Sequence, residues 1–230
     1  MDITPTRHGL RLSQHGVVIS ELRTSPGPTQ SVFDLLAGLV AVLAPAGPVG
    51  MLGFAGGGML APFAALDWTR RFSAVDLDRE AYELFRRHCP QWTPQVDWHH
   101  ADAGAWLRRP GPSFGLLLDD LSVPVDGDVI KPAICWETLP ALMRARLRPD
   151  GVALFNLLPS PGKSWVRAVP QVVEPFAAAR VIRLDDFENR LLVAGSTLPS
   201  ARELGASLRE ALERLRSRQA GRFQVRTVRR

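Results

Sequence analysis

The chain has 230 residues and is poor in several residue types, and each shortage excludes a class of protein. Its two cysteines, Cys89 and Cys135, are too few for a disulfide framework, and no Cys/His cluster shows metal-ligand spacing. His99 and His100 are adjacent, so on a strand they would point to opposite faces, and no further ligand stands near them. We therefore expect no metal and a reducing, cytoplasmic setting.

Long apolar runs are also lacking. No apolar stretch reaches the roughly 18 residues that a membrane span needs. The beginning, "MDITPTRHGLRLSQHG", is polar and interrupted by proline, which is not typical of a signal peptide. No membrane partner is expected. The content of 46% hydrophobic residues is sufficient for one domain with a full core.

Lysine is scarce, with only Lys131 and Lys163 among 28 basic residues, and the net charge of +5 is unevenly distributed. Nine arginines and three glutamates lie from residue 197 onward, which leaves 19 basic and 20 acidic residues in the first 196. The body is therefore nearly neutral and the tail is basic. This distribution argues against nucleic acid as the main partner.

Strand-like and helix-like segments alternate along the chain. Two short apolar runs in residues 10–22 predict a β-hairpin, and five later runs predict strands that alternate with helices: "VGMLGF", "RFSAVDLD", "QVDWHHAD", "FGLLLDDL" and "VALFNLL". Such alternation is typical of a parallel sheet covered on both faces. The last two strands, "ARVIRL" and "RLLVAGS", are joined only by "DDFEN", which is too short for a crossover, so they must be antiparallel.

These elements predict an α/β fold, a Rossmann-like three-layer sandwich. Its mostly parallel seven-stranded sheet would end in a C-terminal antiparallel hairpin and follow a short N-terminal β-hairpin. This is the layout of the class I methyltransferase fold, whereas a dinucleotide-binding domain would place another helix between the last strands. The predicted divisions are an N-terminal hairpin and loop (1–28), the Rossmann-like domain (29–196), and an amphipathic helix with a basic tail (197–230).

A glycine-rich stretch, "VGMLGFAGGGML", places Gly53, Gly56 and Gly57 between the first parallel strand and a helix. Glycine there allows a close approach of backbone to ligand and a positive φ. Asp76 lies 20 residues after Gly56, at the end of the next strand, where a carboxylate binds ribose hydroxyls. Alone, these residues also suit a tight turn and a surface acid. Together with the strand order they predict a nucleoside-bearing cofactor.

Acidic residues also follow the next two strands. Asp102 suits a helix cap, and a capping aspartate can also accept a hydrogen bond from an adenine amino group. Asp119 and Asp120 end the fourth strand, at the edge where ligands bind in such sheets. Two carboxylates after a buried run are costly unless they meet solvent or a cation, and a sulfonium or an amine is such a cation. The alternative is a polar strand end that leads into a loop.

In their order these segments, together with "HADAGAWL", "LRPDGVALFNLL" and "ENRLLVAG", resemble the spermidine synthase-like branch of the class I S-adenosylmethionine-dependent methyltransferase fold. The resemblance covers residues 10–195. It implies a cofactor, S-adenosylmethionine or its decarboxylated form, and six residues that bind it: Gly53, Gly56, Gly57, Asp76, Asp102 and Ala103. It also implies that Asp120 is the base or amine anchor, and we predict that Asp119 assists it.

The chain departs from the polyamine synthases of this branch at several motifs. Their glycine loop carries an acidic residue, whereas this one reads "GGGML" with Ala55 at the usual middle glycine. Val123 in "DDLSVP" replaces their second acid, and their acidic and Tyr-His gate signature is absent from "PTQSVFDLL". The motifs that bind the cofactor in this branch are retained, whereas the motifs that bind the polyamine are not.

The prediction is a cytoplasmic transferase that moves a methyl or aminopropyl group from the S-adenosyl ligand to a small acceptor, an amine by preference. No metal is expected, and a homodimer is left open. Two alternatives stay open: a non-catalytic binding or dimerisation member of the fold, and a nucleic-acid-directed methyltransferase that uses the basic tail as a clamp.

Overall fold

The structure, a computed structural model, describes residues 1–125 and 127–228. The chain begins with a three-stranded antiparallel sheet in the order β1-β2-β3, formed by Asp2–Thr6 (β1), Gly9–Gln14 (β2) and Val17–Arg23 (β3). The predicted hairpin corresponds to β2 and β3. Strand β1 was missed because "DITPT" is mostly exposed and shows no apolar alternation, and its pairing with β2 decides its conformation.

The remaining elements alternate as predicted. The helices are Val32–Leu43 (α1), Leu60–Ala65 (α2), Arg79–His88 (α3), Ala103–Arg108 (α4), Ile134–Glu137 (α5), Leu139–Arg146 (α6), Trp165–Val173 (α7) and Ala201–Arg214 (α8). The strands are Val49–Leu52 (β4), Phe72–Asp76 (β5), Val96–His100 (β6), Phe114–Asp119 (β7), Val123–Val125 (β8), Asp128–Ile130 (β9), Leu147–Leu157 (β10), Ala178–Leu184 (β11), Arg190–Gly195 (β12) and Phe223–Thr227 (β13).

Eight strands form the large sheet, in the order β13-β11-β12-β10-β7-β4-β5-β6. The five from β10 to β6 are parallel, whereas β12 runs antiparallel to β10 and to β11. This confirms the Rossmann-like fold with a C-terminal antiparallel hairpin. The sheet exceeds the predicted seven strands because β13 pairs with the outer edge of β11.

Helices cover both faces of this sheet, which confirms the three-layer sandwich. Leu36 of α1, Phe85 of α3 and Leu208 of α8 belong to the buried cluster on one face. Trp136 of α5 and Met143 of α6 belong to the cluster on the other. Apolar side chains at helical spacing drive this burial, because each helix presents one apolar stripe to the sheet.

The parallel strands direct their carboxyl ends to one edge, and that edge is covered by two smaller pieces. The N-terminal sheet supplies Gln14, whose Nε2 donates to Asp78 Oδ2 (2.8 Å) just after β5. The β8–β9 hairpin reaches the same sheet through the Gly127 N–H, which donates to the His15 carbonyl (2.9 Å). This edge is therefore the enclosed part of the molecule where a site is expected.

Within the described residues, no helix combines the length and hydropathy that crossing a membrane requires. The domain boundaries given by the sequence stay a prediction.

Candidate functional site

The glycine loop after β4 begins at Gly53, which is held between two strand ends. Its N–H donates to the Val75 carbonyl (2.9 Å), and the Asp120 N–H donates to the Leu52 carbonyl (2.8 Å). Gly53 has a φ of +88°, and a Cβ there would lie 2.7 Å from the Asp120 carbonyl oxygen. Glycine is required at this position because it brings the loop against the end of β7.

At the next two predicted cofactor residues, Gly56 and Gly57, a side chain would collide with apolar parts of the protein, and their contact with a cofactor stays a prediction. A Cβ on Gly56 would meet Leu12 of the N-terminal sheet at 2.8 Å, and one on Gly57 would meet the Phe54 ring at 2.7 Å. The structure thus gives both glycines a packing role that follows from close contact with apolar side chains. The backbone that faces the site belongs to Gly53 and Ala55.

Asp76, at the end of β5, binds the glycine loop directly. Its Oδ2 accepts hydrogen bonds from the N–H groups of Phe54 (2.6 Å) and Ala55 (2.9 Å), and its Oδ1 accepts one from the Asp78 N–H (2.9 Å). A carboxylate offers about four acceptor positions, so these three bonds leave room for one more donor. Asp76 therefore orders the loop and keeps acceptor capacity toward the site.

Asp102 and Ala103 lie at the end of the neighbouring strand, β6. Asp102 Oδ1 accepts from the Ala105 N–H (2.8 Å) and so caps α4, while Ala103 is buried. The Ala101 N–H donates to the Asp76 carbonyl (3.2 Å), which places this strand end beside Asp76. The helix cap is present, and contact with adenine stays a prediction.

Two adjoining cavities open at this edge of the sheet. The first, which we call the Asp76 cavity, has a volume of about 240 Å³ and is lined by Gln14, Ile19, Gly53, Ala55, Asp76, Leu77, Asp78, Asp120, Leu121, Ser122, Val123 and Pro124. The second, the Asn156 cavity, has a volume of about 190 Å³ and is lined by Val18, Ile19, Val32, Phe33, Ala55, Asp120, Leu121, Ser122, Val129, Asn156, Leu158 and Asn189. The shared lining residues, Asp120 among them, form the wall between the cavities.

Asp120 is held on this shared wall by a chain of amides. Asn189 Nδ2 donates to Asn156 Oδ1, and Asn156 Nδ2 donates to Asp120 Oδ1, each over 2.7 Å. Burial raises the pKa of Asp120 to about 6, although the nearby Lys131 and the bond from Asn156 pull it down. The site thus contains an oriented carboxyl group that changes its charge near neutral pH.

Asp119 points to the opposite side of the strand and is fully buried. Its Oδ1 accepts bonds from Lys131 Nζ (2.9 Å), the Leu121 N–H (3.0 Å) and Cys135 Sγ (3.6 Å). Its Oδ2 is buried and has no hydrogen-bond partner among the described residues. The structure therefore separates the predicted catalytic pair, because Asp120 faces the cavities and Asp119 faces the interior.

Lys131 is 3% exposed, and it follows β9 in the hairpin that covers the cavities. Burial by itself would lower the pKa of Lys131, but the negative charge of Asp119, its hydrogen bond to Lys131 and the charge of Asp120 raise it above its usual value. The ammonium therefore stays protonated and neutralises Asp119. This ion pair fastens the end of β9 to the end of β7, next to Asp120.

Three residues of the site were missed by sequence reasoning: Lys131, Asn156 and Asn189. Asn156 stands inside the apolar run "VALFNLL", and a polar residue buried in such a strand is itself a signal. Lys131 and Asn189 carry no comparable signal, because their contacts depend on the path of the chain in space. In the described part of the chain, no group of three or more His, Cys, Asp or Glu is placed to hold a metal ion.

Comparison with solved structures places this architecture among known folds. A probable spermidine synthase from Corynebacterium glutamicum ATCC 13032 superposes with a TM-score of 0.76 at 17% identity, covering 97% of this chain and 86% of that one. The spermidine synthase from Thermotoga maritima gives 0.63 at 15% identity, covering 84% and 67%. Human methyltransferase-like protein 13, solved in complex with SAH, gives 0.59 at 18% identity, covering 80% and 90%.

The chain therefore has a spermidine synthase-like class I methyltransferase fold. At these identities the likeness concerns the fold alone. No family model matches the sequence, and no curated protein matches it.

Proposed function

We propose that this chain is a transferase that binds S-adenosylmethionine or decarboxylated S-adenosylmethionine in the Asp76 cavity. It would pass a methyl or aminopropyl group to a small amine held in the Asn156 cavity. The observation that carries this proposal is the position of Asp120, on the wall that the two cavities share, with a pKa raised to about 6.

The Asp76 cavity suits the nucleoside part of such a cofactor. Asp76 keeps an acceptor position for a ribose hydroxyl, and Leu77 is 67% exposed, which offers an apolar surface to a base. The carboxylates of Asp76 and Asp78 favour a cationic ligand. Together the two cavities fall within the roughly 300–1,000 Å³ that is typical of ligand sites.

When bound, the sulfonium supplies an electrophilic carbon. The residues of the chain have to bring an amine to that carbon and remove its proton. Asp120 attracts the ammonium form, and as a carboxylate it accepts the proton as the amine becomes a nucleophile. Asn156 orients the carboxylate, and holding both partners in place lowers the barrier further.

The Asn156 cavity also indicates which amines are suitable. Its walls include Val18, Val32, Phe33 and Leu158, which suit an aliphatic or aromatic body. Asp120 is the only acidic residue among the described residues that line it. A second ammonium group would lack a partner there, so we expect a monoamine with an apolar body to be a better acceptor than putrescine.

Comparing ligands by thermal shift tests the proposal. S-adenosylmethionine, its decarboxylated form and methylthioadenosine should raise the melting temperature, because a ligand that binds only the folded state stabilises it. NAD should not. Mass spectrometry of amines incubated with each donor then identifies the transferred group. Stabilisation by NAD alone, or by none of the four compounds, contradicts the proposal.

Replacing Asp76 with alanine should weaken binding of the S-adenosyl ligand by roughly 1–3 kcal/mol, the usual cost of leaving hydrogen-bonding groups unmatched. The N–H groups of Phe54 and Ala55 lose their acceptor, and a ribose hydroxyl loses its partner. Calorimetry on both proteins measures the difference. Asp97→Ala, at an exposed position of β6, is the control. Equal affinities in wild type and Asp76→Ala would show that Asp76 does not contact the ligand.

Turnover should rise with pH through a midpoint near the Asp120 pKa of about 6, because the deprotonated carboxyl is the active form. Asn156 donates a hydrogen bond to this carboxylate and lowers its pKa. Asn156→Ala should therefore shift the midpoint to higher pH, and Asn189→Ala should shift it less. The dependence of kcat on pH measures both shifts. A midpoint that stays in place or falls would remove Asp120 from the role of base.

A further inference from the structure

A third concave surface, of about 330 Å³, lies between α7 and the outer strands of the large sheet. Its apolar part includes Trp165, Val166, Val169 and Val181, and its charged part consists of the guanidinium groups of Arg183, Arg190 and Arg226. We call these seven residues the arginine groove. The groove is separate from both cavities described above.

The strand register brings the three arginines together. Arg183 of β11 lies directly opposite Arg190 of β12, and Arg226 of β13 lies opposite Val181. Val181 and Arg183 share one face because side chains alternate along a strand, so all three guanidinium groups are on the same face. Like charges opposite each other destabilise a sheet. Burial and the charge of Arg183 lower the pKa of Arg190, and Glu188 opposes this shift.

Among the described residues, none of the ion pairs includes Arg183, Arg190 or Arg226, although the charge of Glu188 acts on Arg190. Arg190 Nη1 donates to the backbone carbonyls of Glu188 and Asn189, and Arg226 Nη2 donates to Gln224 Oε1. Charges on an edge strand protect it from pairing with other chains, which explains Arg226 on β13. Arg183 and Arg190 lie on inner strands, so that explanation does not extend to them.

Apolar side chains lie directly beside these arginines. The Arg190 guanidinium carbon lies 5.3 Å from the centre of the Trp165 ring. Val166 is 82% exposed on the first turn of α7. A guanidinium group binds a carboxylate through two parallel hydrogen bonds, and an indole ring packs against a flat apolar body.

We propose that the arginine groove binds a small aromatic carboxylate, with its anionic group between the arginines and its ring system against Trp165 and Val166. Charge complementarity carries this assignment, since three positive groups beside the side chains of Trp165 and Val166 are complementary to one anion on an apolar body. The site is independent of the proposed transferase activity and can be tested without it.

Calorimetry with 2-naphthoate, compared with the neutral 2-naphthalenemethanol, tests the proposal. Wild type should bind the acid, and the alcohol should bind at least about tenfold more weakly, the scale of a lost charge-assisted hydrogen bond. Arg183→Gln should weaken naphthoate binding by a similar factor. Val166→Asp should do the same, because its carboxylate would compete with the ligand for the guanidinium groups. Val166→Asn loses the same apolar contact without adding a charge, so it should weaken binding less than Val166→Asp.

Arg202→Gln is the matched charge control, because Arg202 is an exposed arginine of α8 that lines a different surface. It should leave binding unchanged. Without ligand, Arg183→Gln should keep or raise the melting temperature at low salt, because repulsion from Arg190 is relieved. The proposal is overturned if naphthoate does not bind, if acid and alcohol bind equally, or if Arg202→Gln weakens binding as much as Arg183→Gln. It is also overturned if only anionic vesicles, acidic peptides or nucleic acid bind.

Discussion

Asp120→Asn is expected to lower turnover by about 10²-fold or more, the usual effect of losing a general base. Affinity for the S-adenosyl ligand should stay nearly unchanged. Asparagine keeps the shape of the side chain and its contact with Asn156, but it carries no charge and accepts no proton from an amine. The expected result is thus a fall in kcat with little change in ligand binding.

Single-turnover kinetics and calorimetry on the same preparations separate these two effects. Asp150→Asn, at an exposed position of β10, is the control for the loss of a carboxylate elsewhere in the protein. Full activity in Asp120→Asn would show that the carboxylate on the shared wall is not the catalytic group. Loss of ligand binding in the variant would instead place Asp120 among the residues that hold the cofactor.

Lys131→Met is expected to lower the free energy of unfolding by about 3–5 kcal/mol, the cost of leaving a buried charge without its partner. Asp119 would then have no ammonium group near its buried carboxylate. The other lysine provides a matched control, because Lys163 is exposed and lies over the Trp136 ring. Lys163→Met should stay within about 0.5 kcal/mol of wild type.

Urea unfolding of the wild type and the three variants tests this explanation. The double variant Lys131→Met, Asp119→Leu should recover most of the lost stability, because it removes both charges together.

The stability that Lys131→Met loses relative to wild type should shrink as pH falls. In the wild type, burial raises the pKa of Asp119 and Lys131 opposes this effect. Without Lys131 the folded-state pKa rises further, so the folded variant binds a proton more readily than the wild type and regains stability as pH falls. Equal stability of Lys131→Met and Lys163→Met would refute the structural role of the ion pair.

The order of strands and helices could be predicted because apolar spacing and short connections are local properties of the sequence. The antiparallel pair β11–β12 follows from a linker too short for a crossover. Strands β1 and β13 form through pairing with a neighbour. "DITPT" carries no strand pattern, and "FQVRT" lies in the basic tail, outside the seven strands of the predicted sheet.

The sequence predicts where the site lies, but it does not predict the contacts among the residues of the site. Asp76 and Asp120 lie at strand ends, and parallel strands bring such ends to one edge. Alternation along β7 predicts that Asp119 and Asp120 point apart, but which of them faces the interior depends on Lys131, 12 residues after Asp119. Asn156 and Asn189 meet through the antiparallel pairing of β10 with β12. The need for glycine at positions 56 and 57 comes from close packing against Leu12 and Phe54, which the sequence does not reveal.

A crystal structure of this protein with S-adenosylhomocysteine would show directly whether Asp120 lies between a nucleoside cavity and an acceptor cavity. The expected result is a nucleoside in the Asp76 cavity, with a ribose hydroxyl bonded to Asp76 and the sulfur directed toward Asp120 and the Asn156 cavity. A ligand bound elsewhere, or one whose sulfur points away from Asp120, would contradict the account.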